Sequence, residues 1–128
     1  MGGHNAMSNP QTFTEWYDNG YRLSQNGSYD DAIASFKKAI ALNPSYAEAY
    51  NMLGFCTRKL GNTADAFTYY DKALQLKPNF PEAREYYGEA YLQAGDLLKA
   101  LQQYVILQKA GSKYAKDLFE DIDAYVNK

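Results

Sequence analysis

At 128 residues, with 46% hydrophobic and 22% charged side chains and a net charge of −2, the chain is long enough to bury a core without disulfide or metal staples. A pI near 5.3 with scattered Lys and Arg argues against nucleic acid as a partner, and with no apolar run near the roughly 18 residues that span a bilayer, no direct membrane insertion is expected. Cys56, alone of its kind, excludes an internal disulfide and a cysteine-pair metal site.

Residues 1–12, MGGHNAMSNPQT, are small and polar without periodicity. They read as a disordered leader, with an expression scar and a native start at Met7 or later both left open. Myristoylation would need Ser or Thr where Ala6 stands. No signal-peptide core follows Met1, so the cytoplasm is the default compartment, a cleaved signal, a periplasmic location or a larger parent chain being left open.

The first helix begins after Thr12, an acceptor with Glu15 three residues on, the pattern of a capping box. Trp16, Gly20, Leu23 and Gly27 are spaced by four, three and four and share one helix face. Glycine on a buried face costs the helix about 1 kcal/mol but lets a second helix come close. Gly27 suits a left-handed helix stop, and Ser28 an N-cap for the second helix, which carries Ala32, Phe36 and Ala39 as far as Pro44. Asn26-Gly27-Ser28 also fits a glycosylation sequon, but the turn accounts for all three residues.

The same marks then return. Ser45 with Glu48 starts a third helix holding Gly54, and Gly61 ends it; Asn62 caps a fourth with Ala66, Tyr70 and Ala73, which stops before Pro78. Asn79 with Glu82 starts a fifth holding Gly88, Gly95 ends it, and Asp96 caps a sixth with Ala100 and Tyr104. Ser112 caps a final helix whose stripe is Ala115, Leu118, Phe119, Ile122 and Tyr125. Lys116, Asp117, Glu120, Asp121 and Asp123 fill its other faces. That stripe should lie on the edge made by Leu97, Leu101 and Tyr104.

Gly20/Gly54/Gly88, Gly27/Gly61/Gly95, Ala32/Ala66/Ala100 and Phe36/Tyr70/Tyr104 all step by 34 residues. This punctuation resembles the tetratricopeptide repeat (TPR) family, whose unit is a helix–turn–helix. With Trp16, Gly20, Leu23, Ala32, Phe36, Ala39 and Pro44 in the family's places, repeat one covers 13–46, repeat two 47–80 and repeat three 81–114. Thr57, Arg84, Leu107 and Ser112 depart from the family pattern. The resemblance covers about four fifths of the chain. It implies an all-α, right-handed superhelical α-solenoid, a single domain over 13–128 of three helix pairs plus a capping helix at about 113–127, seven helices in total. Repeat one shows Glu15, Asn19, Arg22 and Asn26 where the later repeats place residues such as Ala49, Leu53, Cys56 and Leu60, as expected of a stack closed at both ends.

The resemblance also implies a non-enzymatic protein–protein interaction scaffold or adaptor, with first helices lining a concave groove. Carried onto this sequence, the lining reads Thr14, Tyr17, Tyr21 and Ser24, then Glu48, Asn51, Phe55 and Arg58, then Glu82, Glu85, Glu89 and Leu92, bordered by Asp18, Met52, Lys59 and Tyr86. Tyrosines can also pack among neighbours, and a glutamate row is often a solvated face. Tyr and Met favour interfaces, however, and the like-charged pair Glu85 and Glu89 costs a helix roughly 0.2–0.5 kcal/mol. The expected partner is a peptide or helical segment of another protein with apolar anchors and basic residues.

TPR adaptors that hold the carboxylate tails of heat-shock chaperones use Lys, Asn and Arg clamps. The matching places here hold Tyr17, Tyr21, Met52, Glu82 and Tyr86, so that role is disfavoured. Self-association through the groove or capping helix, as an assembly subunit, is the alternative. Catalysis has little to use: His4 lies in the leader, Cys56 stands in the place of Ala90 as a packed small residue, and the interior glycines serve the repeat. No cofactor or metal is expected.

Overall fold

The structure, a computed structural model, describes residues 9–128. Among these it has seven helices and no strand: α1 (Phe13–Gln25), α2 (Tyr29–Leu42), α3 (Ala47–Lys59), α4 (Thr63–Leu76), α5 (Pro81–Gln93), α6 (Leu97–Lys109) and α7 (Tyr114–Val126). Of the leader, residues 1–8, with His4, Ala6 and Met7, lie outside the described residues. Gln11 and Thr12 depart from the expected disorder, because their amides donate to Glu15 Oε1 at 3.1 and 3.0 Å. Thr12 Oγ1 accepts from the Glu15 amide at 3.1 Å, closing the capping box.

The helix ends follow local chemistry, with three corrections. Gly27, Gly61 and Gly95 have φ of 81°, 89° and 81°, and the next amide in each case reaches back to close the turn, as Asn62 N does to Thr57 O at 3.0 Å. Asn62 and Asp96 then accept from the Asp65 and Lys99 amides at 3.3 and 3.1 Å. Ser28 holds the cap place without making the side-chain bond. Ser45 is not a cap: its amide donates to Asn43 Oδ1 at 3.2 Å in a turn, and the helix starts one residue later with Tyr46 as N-cap. Asn79 is not one either, because Pro81 at the first helical position sets the start and makes buried Phe80 the cap. Ser112 acts from one place further out, accepting from the Tyr114 amide at 3.1 Å, while Lys113 is the cap residue.

Each helix packs on the next in sequence, and α1, α3, α5 and α7 also touch in succession. They form one layer of an α-solenoid; α2, α4 and α6 form the other. The close approaches lie where the glycines are. A Cβ on Gly20 would sit 2.8 Å from the Phe36 ring, and one on Gly54 2.6 Å from the Tyr70 ring. Both aromatics are fully buried.

Repeat three breaks this pattern. A Cβ on Gly88 would meet Leu118 of α7 at 2.6 Å, not Tyr104. Tyr104 is only partly buried and leans on Phe119, ring centroids 5.6 Å apart. Leu118 and Ile122 complete a core with Leu92, Ala100 and Leu107, bordered by Leu97, Tyr104 and Tyr125. Leu101, expected in this seam, instead faces solvent, and Phe119 is 51% exposed, because Leu118 occupies the slot beneath.

Candidate functional site

Four- and three-residue spacing brings Tyr17, Tyr21, Phe55, Glu82, Tyr86 and Glu89 along α1, α3 and α5, in the layer where these helices touch. Tyr17 and Tyr21 stack with ring centroids 6.2 Å apart, and Tyr17 also meets the edge of Tyr46 at 5.2 Å. Phe55 and Tyr86, from successive repeats, lie 5.1 Å apart. Lys59 Nζ sits 5.4 Å over the Phe55 ring. Tyr21 keeps 45% of its surface exposed, whereas Tyr17, Phe55 and Tyr86 are half-buried. Burial, followed by the charges of Glu82, Glu85 and Glu89, holds the Tyr86 hydroxyl well above its usual range. Burial also raises Tyr17, with smaller contributions from Tyr46 and Glu82.

Not every expected residue is accessible. Asn51 and Met52 are 1% and 2% exposed; Met52 packs with Phe36, Leu53 and Cys56 in the core between the first two repeats. Among the described residues, Asn51 Oδ1 finds no hydrogen-bond partner. Glu85 is buried as well, because α7 covers that part of α5.

The acidic half includes α7. Oxygens of Glu85, Glu89 and Asp121 lie within 4.8 Å of one another. Arg58 donates to Glu89 at 3.2 Å and to Gln93 at 3.3 Å, and a cleft of about 290 Å³ opens among Arg58, Lys59, Glu89, Leu92 and Asp121. Burial pushes Glu89 up to about 8; a hydrogen bond with Asp121 adds to this, and Arg58 opposes it. Burial pushes Glu85 up to about 7, helped by Asp117, Asp121 and Glu82. Burial and mutual repulsion therefore oppose a full set of negative charges here, and a cation brought alongside would offset both.

By sequence, Asp117 and Asp121 belong to the polar side of the final helix. Their spacing of four beside Leu118 and Ile122 is the signal that could have placed them here, but only once the seating of α7 is known. Nucleophilic chemistry has no support at Cys56: it is fully buried, and burial pushes its thiol up to about 12.

Two family models, each described as a tetratricopeptide repeat, match residues 17–81 and 57–118. No curated protein sequence matches the chain. Among solved structures, the Yersinia enterocolitica type III secretion translocator chaperone SycD, in an alternative dimer, is 22% identical over 96% of this chain and 94% of its own, with a TM-score of 0.79. PcrH in complex with the chaperone binding region of PopD is 24% identical over 89% and 90%, with a TM-score of 0.78. The first TPR of Spaghetti (RPAP3), bound to the HSP90 peptide SRMEEVD, is 18% identical over 97% and 100%, with a TM-score of 0.78. At these identities the likeness is one of fold.

Proposed function

The chain belongs to the tetratricopeptide repeat family, and from that premise we propose that it is a non-enzymatic adaptor holding a segment of another protein against the inner layer of α1, α3, α5 and α7. One observation carries the reading: a half-buried aromatic cluster, Tyr17, Tyr21, Phe55 and Tyr86, continues into a carboxylate cluster, Glu82, Glu85, Glu89, Asp117 and Asp121. The fitting segment has an apolar or aromatic anchor at one end and Lys or Arg at the other. The anchor supplies most of the affinity, and the charges set direction and on-rate. PcrH and the first TPR of Spaghetti, each solved with a segment of another protein, support the use of this fold as a peptide holder.

An acidic chaperone tail is the wrong ligand for this surface. Glu82 stands in a clamp position, and Glu85 and Glu89 follow it with Arg58 already paired. No helix among the described residues is long and apolar enough to cross a membrane.

Affinity capture from the native source, compared with Tyr21→Ala, tests the proposal. With a captured segment in hand, Tyr21→Ala should weaken binding by about 1–2 kcal/mol, and Glu82→Lys, at a partly exposed position of the acidic row, should weaken it mainly at low salt. Unchanged affinity for both would move the site off this layer. Tighter binding by Glu82→Lys would reverse the partner's charge.

A further inference from the structure

The outer face of α6 breaks the repeat in the opposite sense from the groove. At three places on the outer helices, repeats one and two carry charged side chains or, once, a single methyl: Asp30 and Ala64, Lys37 and Asp71, Lys38 and Lys72, all exposed. In repeat three the same places hold Leu98, Val105 and Ile106, which are 69%, 40% and 42% exposed, with Leu101 beside them. A cleft lined by Leu98, Leu101, Gln102, Gln103, Val105 and Ile106 marks the patch. Water-facing apolar side chains grouped in this way point to an occupant.

We propose that the occupant is a second copy of this chain, with the two α6 helices antiparallel across a two-fold axis that passes between Leu101 and Gln102. The spacing of Leu98, Leu101, Gln102 and Val105, three, one and three, reads the same in both directions. Reversal therefore pairs Leu98 with the partner's Val105 and Leu101 with the partner's Gln102, as a self-complementary patch on a two-fold axis requires. Charge agrees with this register. Lys109 of one copy falls two residues from the partner's Asp96, roughly 3 Å along the axis at 1.5 Å per residue. Lys109 thus faces the partner helix's N-terminus and its Asp96, with Lys99 a turn further on, and the helix dipoles oppose. In a parallel pairing, Lys109 would instead meet Lys109 and Asp96 would meet Asp96.

This surface is neither the groove nor the capping helix, so a dimer leaves the inner layer free and the adaptor reading stands or falls separately. The full chain should pass from monomer to dimer in sedimentation velocity as its concentration rises from micromolar to near-millimolar. Leu98→Glu with Val105→Glu should raise the dissociation constant at least roughly 30-fold while leaving the helical circular dichroism unchanged. Gln102→Cys should form a linked dimer under mild oxidation, because its thiols meet near the axis. Thr68→Cys, the same place on α4, should not; Cys56 is buried out of reach. A wild-type chain that stays monomeric throughout would overturn the proposal. So would a dimer that survives the double substitution, or equal linking at Thr68→Cys.

Discussion

Repeats one and two fill themselves, and repeat three is filled from outside. In the first two, the aromatic of the second helix, Phe36 or Tyr70, lies over the glycine of the first and is fully buried. In the third, Tyr104 swings out to Phe119 and Leu118 of α7 takes the slot over Gly88. The same glycine at the same place in the repeat therefore means a contact within the repeat in one case and a contact with the next element in the other. A repeat position specifies a need for closeness, and the neighbour that meets it depends on what is stacked there.

Removing α7 tests this contrast most severely. Truncation after Gly111 should uncover Leu92, Leu107 and the slot above Gly88, and lead to aggregation or partial unfolding centred on repeat three. Light scattering and a calorimetric melt check it, and a monomer with an unchanged cooperative transition would show that repeat three closes by itself.

Leucine at the glycines probes the two kinds of slot directly. Gly54→Leu should cost about 1–3 kcal/mol or more in denaturant titration, because the added side chain would run into the fully buried Tyr70 ring. Gly88→Leu should cost less, since the obstructing atoms are the methyl ends of Leu118. An equal or reversed order would mean that α7 is as rigidly seated as an inner repeat.

The seam also makes stability depend on pH. Glu85 and Glu89 have folded pKa values raised to about 7 and about 8 from 4.5, so the native state binds the extra protons. Their contribution is complete below about pH 4.5 and is lost as pH rises through the folded values near 7 and 8. The melting midpoint should fall across that window, and Glu85→Gln, which spares the Arg58 pair, should flatten the fall. A midpoint rising with pH would mean that the carboxylates are charged and well paired.

Helix caps give the smallest effect. Asn62→Ala removes a bond to the Asp65 amide and should cost about 1 kcal/mol. Ser28→Ala removes no side-chain cap bond and should be close to neutral. Chemical denaturation of the two variants separates them.

Much of this was legible in the sequence because it is local. Thr12 with Glu15, Asn62, Asp96 and the glycine row state where helices start and stop, and the period of Gly20 and Gly54 states where they approach. Ser45 and Asn79 misled because the turn at Asn43 and Pro81 each hold the start beyond them. Leu118 over Gly88 was not legible, since α7 has no aligned counterpart from which to read its contact. The aromatic half of the candidate site follows from spacing alone. Its acidic half does not, because Glu89 meets Asp121 only through the seating of α7.

Cys56 gives this architecture a built-in clock. The thiol is fully enclosed in the core between repeats one and two and is held protonated at neutral pH, so a thiol-specific reagent can reach it only when that core parts. Its labelling rate then counts openings of the first two repeats, and the share of molecules still unlabelled at any moment is the share that has not yet breathed. Rupture confined to α7 and repeat three leaves the clock still; rupture that runs the length of the stack starts it.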